Sequence, residues 1–266
     1  MKNEELIRAY FARLHLEVPE KIAPDAATLF RLHLHHVLTI PYENTDYITG
    51  RVRSTGFASQ FREVILGRRG GMCIDMNPLF GELLSALGYR ISLYPTRICA
   101  RKPEDLNFHI ILIAEDGDGQ RWWCDVANPF TRFCEPLPLI PGEELCASGS
   151  CFRFERGTDG RLVLSEKLDG SWKDILAVID ADAGEEGRDA SKFSAVREYP
   201  DNPICFKEVF SMVTPEGRRT LVGNIYRESV PGGCYRLECP PSLMPWAYAQ
   251  FGLHKTITDT LDERDG

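Results

Sequence analysis

The sequence predicts an α+β fold in three parts. These are an N-terminal helical bundle over residues 1–88, an antiparallel β-barrel or sheet over 89–188, and a small C-terminal α/β lid over 189–266. Three observations lead there. Apolar residues recur at helical spacing through the first third. From Tyr89 onward the pattern changes to short strands separated by turns rich in Asp and Gly. An acidic, glycine-bearing stretch at 180–189 then interrupts the strands, and a new hairpin and a last helix follow it.

In the first part, Leu6, Tyr10 and Leu14 mark one helix, residues 26–38 a second, and Phe61, Val64 and Ile65 a third. The fourth is the clearest. Phe80, Leu83, Leu84 and Leu87 fall at i, i+3, i+4 and i+7, Asn77 can cap, Pro78 suits the first turn, and Gly88 suits the stop. Cys73 sits at or just before its start, where unpaired N–H groups and the helix dipole favour a thiolate. Gly70 and Gly71 let the backbone turn tightly beside the sulfur. His33, His35 and His36 lie in the second helix. No carboxylate or Cys stands in register with them, so they read as core or interfacial residues and not as metal ligands.

In the second part, strands are expected over 89–99, 108–114, 121–126, 151–156 and 161–166. His109 is on the second and Asp125 on the third. Each is eight residues from Gly117, so a hairpin symmetric about Gly117 sets them directly opposite on one face. A one-residue slip would separate them. Cysteine, histidine and carboxylate are the parts of an activated nucleophile: the thiolate attacks, the imidazole moves the proton, and the carboxylate orients the imidazole. Cys73, His109 and Asp125 are therefore the candidate catalytic residues. Their order suggests a papain-like site of the transglutaminase type. In the third part, Thr214-Pro215-Glu216-Gly217 reads as a hairpin turn and 242–251 as a helix.

Composition narrows the class. A hydrophobic share of 43% with 26% charged residues fits a globular protein. The net charge of −8 argues against a nucleic-acid partner. No apolar run has the length of a membrane span, and no signal-peptide core is evident. Nine cysteines, an odd number with no CxxC pair, argue against a disulfide framework and against a zinc site. The eight besides Cys73 read as filler, and a reducing cytoplasm fits.

Several motifs carry a family resemblance. Ile40-Pro41-Tyr42-Glu43-Asn44 is similar to an "IPFEN" motif, and Arg69-Gly70-Gly71-Met72-Cys73-Ile74-Asp75-Met76-Asn77 to an "RGGxCFExN" motif. Pro95-Thr96-Arg97-Ile98, Phe108-His109 and Trp123-Cys124-Asp125-Val126 follow in the same order. On these residues, the chain resembles the arylamine N-acetyltransferases, best over residues 4–140. The resemblance implies ping-pong transfer. Acetyl-CoA is the acyl-donor substrate, Cys73 carries the acetyl group as a thioester, and a small aromatic amine or hydrazine accepts it. It also implies a structural ion pair between Glu43 and Arg69, and with the cysteine spacing above no metal is expected. The basic residues between Arg51 and Lys102 would suit the CoA phosphates, and equally a solvated face.

Two other readings stay open: an amide synthase of the same family fed by a carrier protein, and a hydrolytic or non-catalytic acyl-binding relative. The segment Asp125-Val126-Ala127-Asn128-Pro129 departs from the family's glycine-bearing "DVGFG" pattern, so a stiffer loop and altered acceptor selectivity are expected.

Overall fold

The structure, a computed structural model, describes residues 3–51, 56–99, 108–129, 134–179 and 207–253. The acidic stretch at 180–189 and the short helix expected after it lie outside these residues. The N-terminal part contains α1 (Asn3–Arg13), α2 (Ala26–Thr39), the short α3 (Thr45–Ile48) and α4 (Phe57–Gln60), a π-helical turn Phe61–Leu66, and α5 (Cys73–Ala86). Between α2 and α3 lies a two-residue strand, β1 (Tyr42–Glu43). Asp25 caps α2 by accepting from the Thr28 N–H.

Helix α5 begins four residues before Asn77, with Met72 as its N-cap residue. Asn77 is therefore interior and Pro78 stands in the second turn. Pro78 has no N–H to offer the Ile74 carbonyl. The side-chain amide of Gln60 donates to that carbonyl instead, at 2.9 Å, and so ties α4 to the helix. Asp75 reaches back to the Met72 N–H, the carboxylate half of a capping box. Gly88, at φ +101°, ends the helix in the left-handed region that glycine favours.

Eight antiparallel strands form the second part: β2 (Arg90–Ile98), β3 (Phe108–Glu115), β4 (Arg121–Cys124), β5 (Leu137–Pro138), β6 (Glu144–Ala147), β7 (Ser150–Arg156), β8 (Leu162–Leu168) and β9 (Ser171–Val178). Their spatial order is β5-β4-β3-β2-β9-β8-β7-β6, and β5 comes back beside β6, so the sheet is nearly closed. The run Ile110–Ala114 is apolar at every position because β3 is buried on both faces. Ile110, Leu112 and Ala114 pack with α5 in one cluster; Ile111 and Ile113 join Trp123, Phe152 and Phe154 inside the barrel.

The third part is an antiparallel meander, β10 (Val209–Thr214), β11 (Gly217–Val222), β12 (Ile225–Val230) and β13 (Gly233–Glu238), followed by a 3-10 turn and α6 (Met244–Ala249). The turn Thr214 to Gly217 joins β10 and β11 as the sequence predicts. β1 extends this sheet by pairing with β10. Asn44 fastens that join, accepting from the Val209 N–H at 2.7 Å and donating to the Lys207 carbonyl at 2.9 Å. Phe210, Tyr226, Tyr248 and Phe251 form its core.

Two expectations need correction. Cys146 and Cys151 are not filler. They are directly opposed across the β6–β7 hairpin and form a disulfide. The β3–β4 hairpin is not symmetric about Gly117. Leu112 pairs with Cys124 and Glu115 with Arg121, which centres the turn on Asp118. The cause is Asp116. Its carboxylate accepts from the N–H groups of Asp118 and Gln120 and from the Trp122 indole, and its own N–H donates to the Gln120 carbonyl.

Candidate active site

The register shift is two residues, and side chains alternate with period two, so His109 and Asp125 keep a common face. They are diagonal neighbours, not direct opposites, and that distance is within reach of long side chains. The His109 Nε2 lies 2.6 Å from Asp125 Oδ2. The same ring hydrogen-bonds the Cys73 side chain, for which Nδ1 remains. All three sequence-derived candidates therefore meet, with Cys73 8%, His109 5% and Asp125 2% exposed. Cys73 is the first residue of α5, at the positive end of its dipole. Burial opposes charge on His109, but the facing Asp125 carboxylate and Cys73 sulfur outweigh it and raise its pKa well above the ordinary value. Burial likewise works against the Asp125 anion. His109, the Asn77 amide and the Ala127 N–H hold its pKa below the usual range all the same.

Each member is fixed by its surroundings. Thr96 stands opposite His109 on β2 and donates to the His109 carbonyl at 2.8 Å. Asn77 uses its whole amide: Nδ2 donates to the Ile110 carbonyl at 2.6 Å and to Asp125 Oδ1 at 3.1 Å, and Oδ1 accepts from the Val126 N–H at 2.9 Å. Sequence reasoning read Asn77 as a cap. The signal that could have placed it is its i+4 spacing from Cys73, which puts both on one face of α5.

The loop before Cys73 is held from below. Arg69 donates to Glu43 at 2.8 Å and to Asp46 at 2.7 Å, and both carboxylates are largely shielded. The Glu43 N–H donates to the Gly71 carbonyl at 3.1 Å, and the Gly71 N–H to the Pro41 carbonyl at 3.4 Å. A Cβ at position 70 would lie 2.1 Å from the Pro41 oxygen, so only glycine permits this approach. Arg13, which the sequence did not single out, is buried beneath and donates to the carbonyls of Thr39, Val64, Arg68 and Arg69.

The segment after Asp125 is stitched to β10 and β11. Arg218 donates to the Asn128 carbonyl at 3.2 Å and to the Ser211 hydroxyl at 2.9 Å, and Ser211 donates to the Pro129 carbonyl. A cavity of about 20 Å³, the size of a water molecule, lies here beside Asp125, bordered by Ile40, Tyr42, Ala127 and Val213. The basic stretch from Arg51 to Lys102 is not one open face. Among the described residues, Arg51 pairs with Asp46 and Glu63, Arg69 is buried, and Arg90 pairs with Glu115. No described helix is long and apolar enough to cross a membrane.

A family model described as N-acetyltransferase matches residues 25–237. The arylamine N-acetyltransferase of Mycobacterium bovis is 28% identical over 266 residues, covering 98% of this chain and 88% of the relative. The solved arylamine N-acetyltransferase of Salmonella typhimurium superposes with a TM-score of 0.84 at 21% identity, covering 97% of both chains. The Mycobacterium marinum enzyme, solved in complex with CoA, superposes with a TM-score of 0.80 at 22% identity, covering 96% of this chain and 94% of that one.

Proposed function

The chain belongs to the arylamine N-acetyltransferase family, and on that premise we propose that it works in two steps through an acetyl thioester on Cys73. In the first, the Cys73 thiolate adds to the thioester carbonyl of acetyl-CoA. The bond to the CoA sulfur breaks, and the departing CoA thiolate takes the proton of the His109 imidazolium. In the second, the nitrogen of an aromatic amine or hydrazine adds to the acetyl carbon. The now neutral His109 takes the nitrogen's proton, the bond to Cys73 breaks, and the thiolate and imidazolium are restored. Asp125 keeps the ring in place and stabilises its charged form.

The observation that carries this reading is the hydrogen-bonded series of Cys73, His109 and Asp125, with the imidazole held between the Cys73 sulfur and the Asp125 carboxylate and its pKa raised by both. CoA as the donor is supported by the CoA complex of the Mycobacterium marinum relative. Two hydrophobic clusters, one inside the barrel and one between the C-terminal sheet and α6, fall within single parts and support that division of the chain; the largest joins the helices to β2, β3, β4 and β10 and so runs across all three parts. A cytoplasmic site of action is also our reading. A reducing compartment keeps the Cys73 thiol free and would open the Cys146–Cys151 bond.

The test is intact-mass measurement after incubation with acetyl-CoA. The expected result is a gain of one acetyl group, released by an added arylamine and absent in Cys73→Ser. Acetylation that persists in the Ser variant would move the nucleophile elsewhere.

A further inference from the structure

Asp125 lies one residue beyond the last β3 pair of β4, Leu112 with Cys124, where its N–H faces away from β3, and two residues beyond the last β5 pair, Trp123 with Leu137. The sheet therefore does not hold its backbone. Its N–H donates instead to His33 Nε2 on α2, 92 residues upstream, at 3.3 Å. The other nitrogen of that ring, Nδ1, is 3.0 Å from the Cys134 carbonyl. A carbonyl only accepts and an amide N–H only donates, so the proton is on Nδ1 and the lone pair on Nε2. A second ring proton would point at the Asp125 N–H and break the bond.

The ring is 0% exposed and stands edge-on to Phe80 of α5. The titratable and charged groups around it are His36 one turn along α2, Asp125, and Cys134, with Arg218 of β11 facing the last two and His109 across the carboxylate. Burial outweighs the two backbone bonds and the Asp125 charge, and lowers the His33 pKa to about 4. The neutral tautomer is thus the form present near pH 7. Beyond it, the Cys134 N–H and sulfur meet the Ser148 hydroxyl at 3.0 Å, so the far anchor of His33 is itself held.

We propose that His33 is a positioning residue for the transfer reaction: its neutral imidazole replaces the missing ladder bond at Asp125 and fixes where that carboxylate meets His109. This rests on the triad reading above. A rotation of Asp125 that moves its oxygens by about 1 Å would carry His109 with it, and such misplacement costs on the order of 100-fold in rate.

Two variants separate positioning from packing. In His33→Gln the side-chain oxygen can occupy the Nε2 position and accept from Asp125. In His33→Asn the amide can occupy the Nδ1 position and donate to Cys134, and nothing is left to accept from Asp125. Single-turnover acylation of Cys73 by acetyl-CoA, followed by intact mass across pH, is measured beside the melting temperature. We expect His33→Asn to slow acylation by about 10- to 100-fold and His33→Gln to stay within a few-fold of the unaltered protein. Acylation by the unaltered protein should fall as pH drops through about 4, where His33 takes its second ring proton, and His33→Gln should lack that fall. Equal losses in both variants, in step with their melting temperatures, would overturn the proposal. So would nitrogen NMR of the unaltered protein that finds the His33 proton on Nε2. Absence of acylation in the unaltered protein would instead overturn the triad reading itself.

Discussion

Substituting Gly70 by alanine should damage both the fold and the chemistry, and the size of the effect follows from the contact beneath it. The new Cβ would lie 2.1 Å from the Pro41 carbonyl oxygen and 2.8 Å from Glu43 Cγ. An ordinary contact starts near 3.4 Å, so the strand at Tyr42–Glu43 and the loop before Cys73 must part by roughly 1.3 Å. The obstacle is backbone and cannot swing aside. The opening stretches the two bonds that join these segments, Glu43 N–H to Gly71 O and Gly71 N–H to Pro41 O. Each is worth about 1 kcal/mol, and overpacking adds about 1–3 kcal/mol. A total near 3–5 kcal/mol is a large part of the ~5–15 kcal/mol that holds a domain folded. At about 2–4 °C per kcal/mol, the melting temperature should fall by on the order of 10 °C. Acylation of Cys73 should fall by on the order of 100-fold, because its loop moves by about 1 Å. Gly119→Ala is the control. Its φ of +84° strains an alanine, but nothing lies within 4 Å, so it should cost about 1 kcal/mol and leave acylation intact. The assay is urea unfolding beside single-turnover acylation. A Gly70→Ala protein as stable and as fast as the Gly119→Ala protein would refute the close approach of these two segments.

Three further outcomes are expected. Asn77→Leu should destabilise by about 3 kcal/mol, since it strands buried groups at Ile110, Asp125 and Val126, and should cut acylation further than its melting temperature predicts; a fully active variant would show that Asp125 needs no help from α5. Stability should fall as pH drops from about 6.5 to about 4, because burial lowers the His33 pKa to about 4 and holds that of His36 well below its ordinary value, so the unfolded chain binds protons that the folded chain refuses. His33 alone contributes about 3 kcal/mol of this loss. The contribution of His109, whose pKa is raised, is already complete below about 6.5 and is lost only on the alkaline side; that of Asp125, whose pKa is lowered, persists down to about 4. A flat urea midpoint between pH 7 and 4.5 would refute this. Finally, acetyl transfer to aniline-type acceptors should be slow relative to acylation because Arg218 and Ser211 clamp the Asn128–Pro129 backbone, and Arg218→Met should alter that second half-reaction alone; equal changes in both halves would disconnect the loop from the acceptor.

What could be read from the sequence depended on how far each constraint reaches along the chain. The Phe80 to Leu87 helix and the β3 strand were legible because their signals are local and periodic. His109 and Asp125 were put on one face correctly although the turn was misplaced. The Asp116 carboxylate moved the turn centre by one residue, which shifts the pairing by two, and an even shift preserves the face. β9 escaped notice because Lys173 and Asp174 break its apolar pattern where one end of the strand is exposed, and β1 because two residues carry no period. The Cys146–Cys151 bond was missed because counting cysteines says nothing about register, and only the β6–β7 hairpin sets the two opposite each other. Asn77 and His33 show the limit most clearly. Each makes bonds that are decisive for Asp125, but across 48 and 92 residues. Locally, an asparagine before a proline reads as a cap and a histidine on an apolar helix face reads as core. Both readings describe the residue's own element. The site needs them for a different reason: Asp125 has run off the end of β4, and its carboxylate and backbone must be satisfied from the helices that pack behind it.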